Sequence, residues 1–265
     1  VTSWPYPFWI AHRGAGTLAP ENTLAAFRVG AGHGYRAFEC DVKLSADGEP
    51  FLLHDADLDR TTDGQGPAGQ QAFGQLALRD AGSWHSARFA GEPMPSLAAV
   101  ARYVLANGFQ LNIEIKPTPG LEAETGRRVA QAAAQLWAKA QVPPLLSSFE
   151  PAALLAAREA APLLPRGLLL ETWWDGALDM ATQALDTVAV ITHHRMMDGA
   201  ALRQLRARHQ RALCYTVNDP DVARRLVDLG VDGLITDAVD RFCPALGPAA
   251  AASVVGHGAS PQHES

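Results

Sequence analysis

Four short clusters of ionisable residues carry the chemistry available to this chain: His12-Arg13-Gly14, Glu39-Cys40-Asp41, His54-Asp55 and Glu114-Ile115-Lys116. Each closes an apolar run that reads as a strand. Three carboxylates brought together repel one another and call for a divalent cation. An arginine and a lysine beside them call for an anion, most simply a phosphate. Two imidazoles add a general acid and a general base near neutral pH. If the strands share one sheet edge, these groups converge on a site suited to cleaving a phosphodiester.

Strand alternation sharpens that reading. Glu39 and Asp41 are two apart, so they face one side and Cys40 faces the other. Glu114 and Lys116 repeat the pattern. Carboxylates at a buried mouth are costly unless a cation neutralises them. An all-oxygen donor set suits Mg²⁺, the expected ion, and Ca²⁺ would fit the same oxygens. The plainer alternative is that Glu39 or Glu114 pairs with Arg13 or Lys116; the coincidence of all these groups at strand ends favours the metal. Asp55, Asp57, Asp59 and Asp63 resemble a calcium loop but lack its closing Glu, and read as a solvated insertion. His193-His194 can present at most one ring to the site. Trp173-Trp174, just after Glu171, suit either packing or the lining of a mouth for an apolar or choline-like group.

The elements that must position these groups alternate. Residues 8–11, 38–44, 51–53, 110–116, 144–149, 167–171, 188–192, 212–217 and 233–236 read as strands. Asp47-Gly48 marks a hairpin turn before the third of them. Helical patterns begin at Thr23, with Asn22 as cap, and cover 96–107, with Ser96 as cap. Others cover 121–140, 151–160, 177–185, 199–208 and 221–229. Strand and helix alternate about eight times in 265 residues, which predicts an α/β fold of the closed (β/α)8 TIM barrel type. In such a barrel catalytic groups sit at the C-terminal ends of strands, where His12, Asp41, Glu114, Ser148, Glu171 and Asn218 fall. Residues 56–95 break the pattern and read as a small inserted subdomain after the second barrel strand, capping the site. The barrel is expected to span 1–243. The Ala-, Gly- and Pro-rich stretch 244–265 is expected to be a mobile tail whose His257 and His263 play no part in the site.

Composition narrows the function classes. A net charge of −6 argues against nucleic-acid binding. Cys40, Cys214 and Cys243 are too few and too scattered for a disulfide framework or a zinc site, and fit free thiols in a reducing cytoplasm. No run is long and apolar enough to span a membrane, and residues 1–7 lack the charged-then-apolar order of a signal peptide. No Gly-rich dinucleotide-binding turn is present.

With those pieces in order, the chain resembles the glycerophosphodiester phosphodiesterases of bacterial cytosolic type. The resemblance spans 10–237. It rests on Ala11-His12-Arg13-Gly14 with Pro20-Glu21-Asn22-Thr23, on Glu39-Cys40-Asp41-Val42, and on His54-Asp55 with Leu58-Asp59-Arg60-Thr61-Thr62. It continues through Pro95-Ser96-Leu97, Asn112-Ile113-Glu114-Ile115-Lys116, Ser147-Ser148-Phe149, Tyr215-Thr216-Val217-Asn218 and Asp232-Gly233-Leu234-Ile235-Thr236-Asp237. Singly these motifs are weak; in this order they are specific.

The resemblance implies metal-dependent hydrolysis of a small-molecule glycerophosphodiester to sn-glycerol 3-phosphate and an alcohol. It implies Glu39, Asp41 and Glu114 as ligands of one divalent cation, His12 and His54 as the acid–base pair, and Arg13 and Lys116 as phosphate contacts. Tyr215 and Asn218 are then expected at the substrate, and Glu21 as a further ligand or a neighbour of the ligands. Position 215 is Tyr where the family often has Trp, which keeps an aromatic wall and adds a hydroxyl. The sequence leaves open which imidazole is acid and which is base; His12 as base and His54 as acid is the order preferred here. A monomer or small homo-oligomer without stable membrane association is expected. Relatives on the same barrel that cleave lysophospholipids or phosphoinositides are the alternative, but no apolar lip or basic stripe supports it. A descendant that only binds phosphodiesters would have lost a ligand or a histidine, and none is lost here.

Overall fold

Side-chain alternation along eight strands decides the architecture. In the computed structural model, which describes residues 4–247, β1 (Trp9–Ala11), β2 (Ala37–Leu44), β4 (Gln110–Ile115), β5 (Leu145–Ser148), β6 (Arg166–Leu170), β7 (Ala189–His193), β8 (Arg211–Tyr215) and β9 (Gly233–Thr236) run parallel. Each pairs with the next, and β1 pairs with both β2 and β9, which closes the barrel. The hairpin strand β3 (Pro50–Leu52) lies antiparallel on β2, outside the closed ring.

Two apolar layers follow from the alternation. Ile10, Ala37, Leu145, Leu169, Ile191, Leu213 and Ile235 fill the barrel interior. Phe38, Cys40 and Val42, or Leu111, Ile113 and Ile115, point outward to the surrounding helices. Among these helices are α1 (Leu24–Gly32), α3 (Leu97–Ala106), α4 (Glu122–Leu136), α5 (Pro151–Ala160), α7 (Gly199–Ala207) and α8 (Pro220–Leu229). Trp4 and Tyr6 close the interior from below, with the Tyr6 hydroxyl donating to Pro143 O. No described helix is long and apolar enough to cross a membrane.

The expected elements are present, with shifts at some ends. The α1 cap is Thr23, whose hydroxyl accepts from Ala26 N, and not Asn22. The expected helix over 177–185 is one short turn, α6 (Ala177–Asp179), continued by π geometry over Met180–Ala184. Segment 53–95 is less irregular than its composition suggested. Leu53, Leu58, Ala68, Leu76, Ala81 and Met94 form their own cluster with Phe51, and the short helix α2 (Phe73–Leu76) contributes to it. Of the expected tail, Pro244–Leu246 forms a single 3-10 turn. Residues 248–265, with His257 and His263, lie outside the described residues.

Candidate active site

Register brings the acids together. Asp41 on β2 is the direct neighbour of Glu114 on β4, and Glu39 lies one step below, opposite Asn112. One oxygen from each of Glu39, Asp41 and Glu114 lies within 4.8 Å of the others, and all three residues are buried. Glu39 Oε1 is buried without a hydrogen-bond partner. Three buried carboxylates with an unpartnered oxygen are a donor set fit for a hard divalent cation. Burial first, and then Asp41, push the Glu39 carboxyl up to about 8. Glu114 is raised for the same reasons. Burial would raise Asp41 too, but Arg13 and Lys116 hold it below the usual carboxylate range.

A 3-10 turn, His12–Gly14, follows β1 and aims Arg13 inward. Arg13 sits at φ 51, a left-handed conformation that a long side chain rarely adopts. That conformation lets its backbone N–H donate to Glu39 Oε2 at 3.0 Å. Its guanidinium donates to Glu21 Oε1 at 2.8 Å and lies 3.2 Å from Asp41 Oδ2. Asn22, also left-handed at φ 59, clasps Asp41. Its amide donates to Asp41 Oδ2 at 2.8 Å and its carbonyl accepts from Asp41 N at 3.0 Å. Lys116 donates to Glu114 Oε1 at 2.8 Å and lies 3.6 Å from Asp41 Oδ1.

Both imidazoles are braced by a carboxylate. His12 Nδ1 lies 2.6 Å from Asp237 Oδ1, and its Nε2 is 3.8 Å from Glu39 Oε2. His54 Nδ1 lies 2.7 Å from Asp55 Oδ1. Burial would lower the His12 pKa, but Asp237 and Glu39 outweigh it and leave it raised. At His54 burial prevails over Asp41 and Asp55, and the pKa is lowered.

These groups line one cavity of about 190 Å³. His12, Arg13, Glu39, His54, Glu114 and Lys116 form its polar side, and Phe149, Leu169, Tyr215 and Ile235 its apolar side. Phe149 and Tyr215 meet edge-on, ring centres 5.7 Å apart, and the Tyr215 hydroxyl donates to Leu170 O at 3.1 Å. Asn218, expected at the substrate, stands one step behind. It donates to Asp237 Oδ2 at 2.9 Å and accepts from Asp237 N at 2.8 Å, so it braces the carboxylate that braces His12. Trp173 and Trp174 line a separate open groove of about 620 Å³ with Arg195 and Asp198.

Asp237, Asp55, Asn22 and Arg60 stand within the motifs of the sequence, but the bracing each provides is legible only in the structure. Asp55 reads from sequence as part of a solvated insertion, yet it holds His54. Asp237 carried one signal: it follows β9 directly, at the C-terminal end where barrel sites are built.

A closed (β/α)8 barrel with acids, imidazoles and cations gathered at the C-terminal ends of its strands is an enzyme architecture. Residues 12–241 match the model of the glycerophosphoryl diester phosphodiesterase family, and the chain belongs to that family of hydrolases. A glycerophosphodiester phosphodiesterase of Caldanaerobacter subterraneus subsp. tengcongensis is 31% identical over 86% of this chain and 93% of that protein. The solved structure of a phosphodiesterase from Oleispira antarctica, in complex with the product sn-glycerol-3-phosphate, superposes with a TM-score of 0.82. It is 32% identical and covers 94% of this chain and 97% of its own. A glycerophosphodiester phosphodiesterase from Agrobacterium tumefaciens superposes with a TM-score of 0.75 at 27% identity, covering 88% and 97% of the two chains.

Proposed function

We propose that this chain hydrolyses glycerophosphodiesters to sn-glycerol 3-phosphate and an alcohol, with one divalent cation, Mg²⁺ by preference, held by Glu39, Asp41 and Glu114. The observation that carries the reading is the buried carboxylate triad, with its unpartnered Glu39 oxygen, beside Arg13 and Lys116 at a cavity that both imidazoles line. The bound cation supplies charge stabilisation to the phosphoryl oxygens in the transition state.

The chain's own groups do the rest. Arg13 and Lys116 bind non-bridging phosphate oxygens. Phe149 and Tyr215 pack against the carbon skeleton of the substrate. His54, its pKa lowered, accepts the proton of the attacking water. His12 carries its proton on Nε2, with Nδ1–H held by Asp237, and protonates the leaving alkoxide. This reverses the order preferred from sequence. Glu21 acts through Arg13 and not as a metal ligand, because its two oxygens are taken by Arg13 and Arg60.

The test is release of glycerol 3-phosphate from glycerophosphocholine by protein stripped with EDTA, before and after Mg²⁺ or Ca²⁺ is restored. Metal-restored turnover is expected. Full turnover after stripping removes the metal from the reading. No turnover with any metal, on this ester or on the ethanolamine and glycerol esters, removes the substrate assignment.

A further inference from the structure

We propose that Arg60, a residue of the inserted segment, positions both halves of the catalytic apparatus at once. Through Glu21 it sets Arg13, and through Asp55 it sets His54. This rests on the reading of Arg13 and His54 given above.

The geometry is a double fork. On one edge of the guanidinium, Nη1 donates to Glu21 Oε2 and Nη2 to Glu21 Oε1, both at 2.8 Å. On the other edge, Nε donates to Asp55 Oδ2 at 2.6 Å and Nη2 to Asp55 Oδ1 at 3.0 Å. Each carboxylate then passes the constraint on. Glu21 Oε1 also accepts from Arg13 Nη1 at 2.8 Å, and Asp55 Oδ1 meets His54 Nδ1 at 2.7 Å. Phosphate-binding and proton-transfer groups that follow different strands, Arg13 after β1 and His54 after β3, thus share one planar anchor. A lysine ammonium, without two bidentate edges, has no means of reproducing it.

Docking of the insertion does not account for this arrangement. The segment is tied to the barrel elsewhere: Leu52 N donates to Pro95 O, His85 Nε2 meets Thr17 O, and Glu92 accepts from Ala25 N. It also has its own apolar cluster. The Arg60 side chain is 45% exposed, and an ion pair at such a site adds little to stability. Its value lies in orientation: a guanidinium among four carboxylate oxygens fixes two side chains that themselves hold catalytic groups.

The experiment compares wild type, Arg60→Gln and Arg60→Lys on glycerophosphocholine with Mg²⁺, together with Glu21→Gln, Asp55→Asn and the double variants. Arg60→Gln is expected to fold with an unchanged melting temperature and to lose about 10–100-fold in kcat/KM, as supporting groups around a site commonly do. The loss should divide between a raised KM, through Arg13, and a lowered kcat, through His54. Arg60→Lys should recover only part of it, and added methylguanidinium should restore activity to Arg60→Ala. Losses should be non-additive with those of Glu21→Gln and Asp55→Asn. Activity of Arg60→Gln within twofold of wild type, or losses that simply add, would overturn the proposal. Should Arg60→Gln fail to fold, the cycle between Glu21→Gln and Asp55→Asn decides in its place: coupling supports the shared anchor and independence overturns it. Absence of wild-type turnover would instead sink the functional reading beneath it.

Discussion

Asp237 Oδ1 and His12 Nδ1 meet at 2.6 Å although 225 positions separate them, one at the end of the first barrel strand and one just past the last. Ring closure between β1 and β9 makes the contact. The carboxylate holds the ring with Nδ1 protonated and turns Nε2 toward the cavity. Asp237→Asn keeps the shape but supplies an amide in place of the charge, which no longer favours the imidazolium. A loss in kcat of about a hundredfold is expected, within the range for acid–base catalysis, with Mg²⁺ affinity unchanged. His12→Ala should lose about a thousandfold or more. Steady-state kinetics beside a calorimetric Mg²⁺ titration would measure both, and an Asp237→Asn enzyme of near-normal kcat would remove the dyad from the mechanism.

Glu39 tests the ligand set. Among the described residues its Oε1 is the buried carboxylate oxygen without a hydrogen-bond partner, so its replacement should strike metal binding before it strikes the fold. In Glu39→Gln the amide oxygen is a neutral, weaker donor to a hard cation. The variant should bind Mg²⁺ at least about tenfold more weakly by isothermal calorimetry, the scale on which even outer groups around a metal act. Affinity equal to wild type would dissolve the assignment.

The same carboxylate ties stability to pH. Its value in the folded, metal-free chain is about 8, raised from 4.5. Between those values the unfolded chain has released the proton and the folded chain still holds it. Folding stability of stripped protein therefore falls as pH rises through that window. Glu114 is shifted the same way and adds to the slope. A bound cation removes the penalty on the ionised form, so the rise in melting temperature on adding Mg²⁺ should grow from about pH 5 to about pH 8. A rise of constant size across that range, read by calorimetry, would contradict a carboxylate site.

Much of this arrangement was legible because barrel strands repeat with period two and sites of this fold collect at their C-terminal ends. Glu39 with Asp41, and Glu114 with Lys116, could each be assigned to one face of a strand from spacing alone. Pro151 at the first turn of α5 marked that helix to the residue. What stayed hidden depends on contacts between distant segments. Asn22 has the composition of a cap, and only the packing of the loop after β1 against β2 turns it toward Asp41. Arg60 and Asp55 lie in a stretch whose polar composition resembles a solvated loop, while the apolar residues that fold it are scattered without a period. Asn218 reads as a substrate contact from its position after β8, and the chain path around β9 sets it behind Asp237.

Between α4 and α5 the helix surfaces meet at a glycine. A Cβ placed on Gly126 would lie 2.0 Å from the carbonyl oxygen of Ala153, which is backbone and has no rotamer to change. Two effects oppose each other in Gly126→Ala. Helix propensity favours the alanine by about 1 kcal/mol. Forcing apart two packed helices costs about 1–3 kcal/mol, and α4 and α5 are both held against the barrel strands through Val129, Ala133 and Leu154. The steric cost prevails, and the variant should be less stable by about 1 kcal/mol in urea or thermal unfolding. Gly126→Val adds bulk and a β-branched residue, and should cost more. The carboxylate cluster belongs to β2 and β4, so Mg²⁺ affinity of the folded Gly126→Ala protein should match wild type. A Gly126→Ala protein as stable as its parent would mean that the two helices sit further apart than the barrel geometry places them.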